Sequence, residues 1–218
     1  SSLPYTTLFR SLGFTLPSSL SALAILPASW LVHLLLLRHP DGVTQVALLN
    51  ISLTLRNLIV FLPSQMGSVL VPRLSRDWSS AETSGGVSRL VLRATLAAFG
   101  FSALLALVVG LGAEPILELF AFKSEGRTHL LWITGATAVL MAVAIPVGNL
   151  IAASGRMWTG FGLNLVWAAV LLALAATFIS RSHGAYGAIL AYLGAYLVHG
   201  IGSAGVCRSV ANPVQQKG

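Results

Sequence analysis

Apolar residues fill long windows at about 14–37, 45–71, 90–113, 129–153, 158–179 and 185–207, with short polar breaks between them. Crossing the hydrocarbon core of a bilayer takes about 20 residues as a helix, and each window reaches that length. None shows the alternation of period two that marks a membrane barrel, so helices are expected rather than strands. The pattern predicts an all-α fold: a polytopic membrane helix bundle with six transmembrane helices.

The breaks have their own chemistry. Arg38-His39-Pro40-Asp41-Gly42 reads as a tight turn with Asp-Gly at its end, and Ser154-Gly155-Arg156 and Ser180–Gly184 read as two more. Two connections are longer. The one from Arg73 to Arg93 is polar, contains Ser-Gly-Gly and predicts a short interfacial helix. The one from Glu114 to Thr128 carries Glu114, Glu118 and Glu125 beside Lys123 and Arg127.

Within the windows, Gly187, Ala191 and Ala195 recur every four positions, and Gly100, Gly110, Gly135, Gly148, Gly160 and Gly162 punctuate other spans. Small residues of this kind predict close helix packing. Pro17, Pro27, Pro63 and Pro146 predict kinks. Trp30, Trp132, Trp158 and Trp167 read as an interfacial belt.

Composition removes the soluble alternatives: 56% of residues are hydrophobic and 9% charged, against about 45–50% and about 25% in soluble domains. The formal charge of +7 raises nucleic acid as a partner. The basic residues lie mainly in the breaks, however, so the expected partner is the bilayer and no nucleic acid. Six spans place the breaks alternately on two sides. One side holds seven basic residues (Arg73, Arg76, Arg89, Arg93, Arg156, Arg208, Lys217) and the other four (Arg38, Lys123, Arg127, Arg181). The excess of positive charge on the cytoplasmic side of membrane proteins predicts that both termini of the segment are cytoplasmic. The single Cys207 excludes an internal disulfide.

Arg56 interrupts the second window. A central Arg costs about 2.5–3.5 kcal/mol on insertion scales, while Leu, Ile, Val and Phe each return about 0.3–0.6 kcal/mol. The fourteen such residues between Val46 and Val71 therefore offset the charge by roughly 4–8 kcal/mol, before Asn50, Asn57 and Gln65 are counted against them. The span is expected to insert with its Arg. Charges at that depth usually face an aqueous path, and a guanidinium can grip phosphate oxygens in two places at once. The bland alternative is an Arg satisfied by backbone carbonyls or a neighbouring helix. Ser52, Asn50 and Asn57 extend the polar character of the helix. Asn149 and Asn164 read as amides that bond across helices or offer contacts to a ligand, and His33 and His199 read as hydrogen-bonding residues more readily than as a proton relay.

All six acidic residues, Asp41, Asp77, Glu82, Glu114, Glu118 and Glu125, lie in breaks or at window ends. No paired carboxylates, metal cage or nucleophile triad can be assembled inside the membrane, and there is no Walker loop. No enzyme activity, catalytic residue, metal or cofactor is expected.

Three stretches resemble one known family. Val46-Ala47-Leu48-Leu49-Asn50 through Leu53-Thr54-Leu55-Arg56-Asn57, followed by Phe61-Leu62-Pro63 and Val71-Pro72-Arg73-Leu74-Ser75-Arg76, resembles the second span of a lobe in polysaccharide and lipid-linked oligosaccharide flippases. These belong to the superfamily that also holds multidrug and toxin extruders. Leu150-Ile151-Ala152-Ala153-Ser154-Gly155-Arg156-Met157-Trp158 resembles the turn between the fourth and fifth spans, and Gly184-Ala185-Tyr186-Gly187-Ala188 the opening of the sixth.

The resemblance covers residues 12–208 and implies one six-helix lobe, the C-terminal one, of a two-lobe transporter in a bacterial inner membrane. The missing N-terminal lobe of the same polypeptide would be its partner, and residues 209–218 a cytoplasmic tail. It also implies a substrate, a lipid-diphosphate-linked oligosaccharide, bound by Arg56 through its diphosphate with Asn50, Asn57 and Asn149 as hydrogen-bonding residues. Two rivals stay open: a multidrug or organic-cation antiporter of the same fold, which would want acidic cavity residues, and a non-transporting membrane scaffold. Residues 1–11 are set apart, because Ser2–Ser11 resembles the translation of a sequencing adapter; the expectation is a non-native start and a protein that continues upstream.

Overall fold

A computed structural model describes residues 4–79, 84–123 and 126–211. Its described residues form α1 (Pro4–Leu37), α2 (Gly42–Ser79), α3 (Ser84–Leu111), the short α4 (Ala113–Leu119), α5 (Thr128–Ala153), α6 (Met157–Phe178), a single π turn (Ile179–His183) and α7 (Gly184–Ala211). Six of these helices are long and apolar enough to cross a membrane: Gly13–Leu37, Gly42–Arg76, Gly86–Leu111, Thr128–Ala153, Met157–Arg181 and Gly184–Ser209. The chain is a multi-pass, all-helical membrane protein. α1 starts at Pro4 and so runs through part of the segment set apart as adapter-like.

α5 lies at the centre, packed against α2, α3 and α7, while α6 sits between α7 and α1. α2 meets α1 only thinly and reaches across to α7. Small residues set these approaches. A methyl on Gly135 would come 3.0 Å from Cβ of Ala106, and Gly187, Ala191 and Ala195 on α7 are all buried. The small-residue stripe of the last span therefore packs as expected. Gly100, Gly148 and Gly162 do not: each faces open space, so those glycines are not packing contacts within this bundle.

Four buried Ser and Thr hydroxyls are satisfied locally, as a lipid environment demands. Ser52, Ser102, Thr134 and Thr137 each donate to the carbonyl four residues earlier, at 3.0, 2.7, 2.8 and 2.8 Å.

The turns follow their sequences. Gly155 adopts φ 73°, and the amides of Ser154, Gly155 and Arg156 return to the carbonyls of Leu150, Ala152 and Ile151. A left-handed residue just past a helix end closes the last carbonyls in this way. At the α1–α2 turn Asp41 takes φ 59°, and Gly42 lies so close to Leu37 that an added Cβ would meet its backbone carbon at 2.8 Å. The break expected at Ser180–Gly184 is a π turn over Ile179–His183 that leads into α7 at Gly184, rather than a tight loop. The Gln45 side chain caps the start of α7 by accepting from the amide of Ala185 at 2.8 Å.

Among the described residues between Arg73 and Arg93 there is no separate interfacial helix of the kind expected. α2 continues to Ser79 and α3 starts at Ser84. The reason is a second apolar cluster of Leu70, Leu74, Val87, Val91, Ala94 and Leu150, which keeps both long helices packed beyond their most apolar stretches.

Candidate functional site

None of the six acidic residues falls within a span. Arg56 lies fourteen residues inside the span that begins at Gly42, deeper than any other Asp, Glu, Lys or Arg in the six spans. At 1.5 Å per residue that is roughly 21 Å along the helix, near the middle of a hydrocarbon layer about 30 Å thick.

Its side chain is half-buried and turned toward α7. The guanidinium carbon lies 5.2 Å from the centre of the Tyr192 ring, within cation–π range. Nη2 donates to Oδ1 of Asn57 at 3.1 Å, and Nε reaches the same oxygen at 3.4 Å. Nη1 is buried and has no hydrogen-bond partner among the described residues. A donor left in that state costs about 1–3 kcal/mol, and more on a charged group.

Behind the guanidinium stands an aromatic cluster. Tyr192 packs against Trp167 at 6.1 Å between ring centres, and Trp167 against Tyr196 at 5.4 Å. Trp167 is 3% exposed, so it belongs to the core of α6 and not to the interfacial belt predicted for it. Its Nε1 and the Tyr192 hydroxyl, which lies near Ser29, are also buried without a hydrogen bond of ordinary geometry. Three of the five described buried polar atoms without a partner therefore belong to one group of side chains where α2, α6 and α7 meet.

The four expected site residues divide by depth. Only Asn57 touches Arg56. Asn50 lies six residues toward Gly42, roughly 9 Å along the helix, and its Oδ1 is 3.0 Å from Nε2 of His33. The His33 Nδ1 in turn faces the Ser29 carbonyl oxygen at 2.8 Å. Asn149 lies beside Gly67, where an added Cβ would meet its Oδ1 at 3.1 Å. Gly67 is eleven residues beyond Arg56, roughly 16 Å, and the Asn149 Nδ2 is buried without a partner. Asn164 is half-buried on α6. The His199 Nδ1 lies 3.5 Å from the Ser203 hydroxyl.

A broader feature joins these levels. Asn50, Thr54, Asn57, Ser64, Gln65 and Ser68 are all exposed, and their spacing puts them on one side of α2. Ser52 is not among them, being fully buried. Phe61 lies on the same side, and Leu58, Leu62 and Val69 flank it. The outward face of α3 is different in kind: Leu92, Leu96, Phe99, Leu104 and Val108 are each more than half exposed, as suits a helix against lipid tails. The hydroxyls of Ser64 and Ser68 donate to the carbonyls of Phe61 and Gln65 within the helix, but the amide groups of Asn50, Asn57 and Gln65 have further donors that need water, protein or a ligand. Arg56 sits about 100° around the helix from Asn57, at the inner edge of this row.

The chain is similar to known export proteins. Over 182 residues it is 26% identical to the EPS I polysaccharide export inner membrane protein EpsE of Ralstonia nicotianae and 27% identical to the protein of the same name in Ralstonia solanacearum. Each match covers 83% of this chain and 41% of the relative, so the chain spans about two fifths of the length of the curated relatives it matches. No family model matches the chain, and no solved structure does.

Tyr192, Tyr196 and Trp167 were not expected at this site. A signal for them existed: two tyrosines four residues apart share a helix face among small residues, and Trp167 lies too far from either end of its apolar window for a belt position.

Proposed function

We propose that this chain forms one lobe of a polysaccharide-export transporter of a bacterial inner membrane, which flips a lipid-diphosphate-linked oligosaccharide by alternating access. It carries out no covalent chemistry. The observation that carries this reading is Arg56: a mid-span guanidinium with an unpartnered Nη1, no carboxylate in any span to neutralise it, and an exposed polar row on the same helix. A diphosphate supplies the missing counter-charge and acceptors. The row of amides and hydroxyls on α2 is the wall along which a hydrated headgroup and sugar pass while the isoprenoid tail stays in lipid.

The similarity to proteins named for polysaccharide export supports the substrate class. Their greater length leaves room for a second lobe, which would face the polar row of α2 and complete a cavity with it. The basic-residue count supports both termini of the segment being cytoplasmic. An antiporter for organic cations is disfavoured by the sign of the charge, because a fixed cation repels such substrates from the very depth at which they must bind.

Reconstitution tests the reading. In proteoliposomes, a fluorescent lipid-diphosphate saccharide is expected to become accessible on the opposite leaflet in proportion to the protein, and an excess of an organic cation is expected to leave the rate unchanged. Transport of the cation with no movement of the saccharide lipid would defeat it.

A further inference from the structure

A cavity of about 290 Å³ opens at the end of the bundle where α1 stops and α6 enters its π turn. It lies just below the roughly 300–1,000 Å³ range of drug-sized ligand pockets, a size that suits a headgroup. Arg38, His39 and Ser180 contribute its polar groups, and Leu35, Ala176 and Ile179 its apolar floor. The spans end at Leu37 and Arg181, so the cavity sits at headgroup depth, some fourteen residues along α2 from Arg56.

Its polar groups ask for opposite charges. Arg38 is exposed and presents a fixed cation. The His39 Nδ1 faces the carbonyl oxygen of Pro40, which can only accept, so Nδ1 carries the proton. In the neutral ring Nε2 then offers a lone pair, and this nitrogen is buried without a partner. Two helices point their negative ends here. Their terminal carbonyls are engaged in part, Leu35 and Leu36 by the amides of Arg38 and His39 and Thr177 by the Ser180 hydroxyl. A purely anionic ligand satisfies Arg38 but meets a lone pair and two helix C-termini. A zwitterion with an N–H-bearing ammonium satisfies all of them.

We propose that this cavity binds the phosphoethanolamine headgroup of a membrane phospholipid, with Arg38 on the phosphate, His39 Nε2 accepting from the ammonium, and the acyl region against Leu35, Ala176 and Ile179. The site does not depend on what the protein transports. The quaternary ammonium of a phosphocholine lipid has no N–H to give, which makes it the sharpest comparison.

The test is lipid retention by the purified protein in mild detergent, read by native mass spectrometry with phosphatidylethanolamine, phosphatidylcholine and phosphatidylglycerol of identical chains. Phosphatidylethanolamine is expected to be retained at least about tenfold over phosphatidylcholine, the scale of one lost charge-assisted hydrogen bond. His39→Phe is expected to erase that preference, and Arg38→Gln to lower retention of both lipids. Equal retention by the wild-type protein, or a preference for phosphatidylglycerol, would overturn the proposal without recourse to any variant. Displacement by free O-phosphoethanolamine at the lipid's own concentration would overturn the assignment to a lipid.

Discussion

Arg56→Ala is expected to bring glycan export to background, at least about tenfold below wild type, while Arg56→Lys keeps part of it. A charge-assisted hydrogen bond contributes about 1.5–3 kcal/mol, which is a factor of roughly 10 to 150 in binding. Ala removes both the charge and the donors at the depth where the diphosphate must leave water. Lys keeps the charge but loses the planar fork and its fit over the Tyr192 ring. Measured as exported polysaccharide per cell, with membrane abundance of each variant matched by immunoblot, normal export from Arg56→Ala would remove the mechanism.

Trp167→Ala is expected to act on the fold first. Loss of a buried Trp costs about 3–5 kcal/mol, and packing is the main force between helices in lipid. At about 2–4 °C per kcal/mol for a chain of this size, the melting midpoint in detergent should fall by roughly 6–20 °C. Trp167 also backs the Tyr192 ring on which the Arg56 guanidinium rests. Trp167→Phe, which keeps an aromatic ring in the same place, is expected to recover most of both stability and export. An unchanged midpoint for Trp167→Ala would mean that the cluster of Trp167, Tyr192 and Tyr196 does not hold α6 to α7.

The spans were legible because a bilayer imposes one length and one composition on every helix, and the apolar windows report both. Arg56 was legible because a charge at that depth stands out against its neighbours. Relations between helices were less so. Sequence alone placed Trp167 at the interface because Trp favours that zone, yet tertiary packing against Tyr192 and Tyr196 draws it into the core. Gly100, Gly148 and Gly162 read as packing sites, but a glycine does not announce which neighbour it faces. Asn57 lies beside Arg56, but Asn50 and Asn149 share only its polar character and not its level, lying roughly 9 Å and 16 Å from it along the direction of α2. The link from Gln45 to the start of α7 joins residues 140 positions apart and has no local signal.

The account turns on water reaching the polar side of α2. Cysteine labelling in sealed membrane vesicles measures this directly, since thiol reagents attack the thiolate and thiols ionise poorly in hydrocarbon. In a Cys207→Ser background, Asn57→Cys and Ser64→Cys are expected to react with a membrane-impermeant maleimide, while Leu96→Cys and Leu104→Cys on the outward face of α3 stay unlabelled. Asn57→Cys and Ser64→Cys as inert as the α3 positions would contradict it, placing the polar row of α2 against lipid or sealed protein.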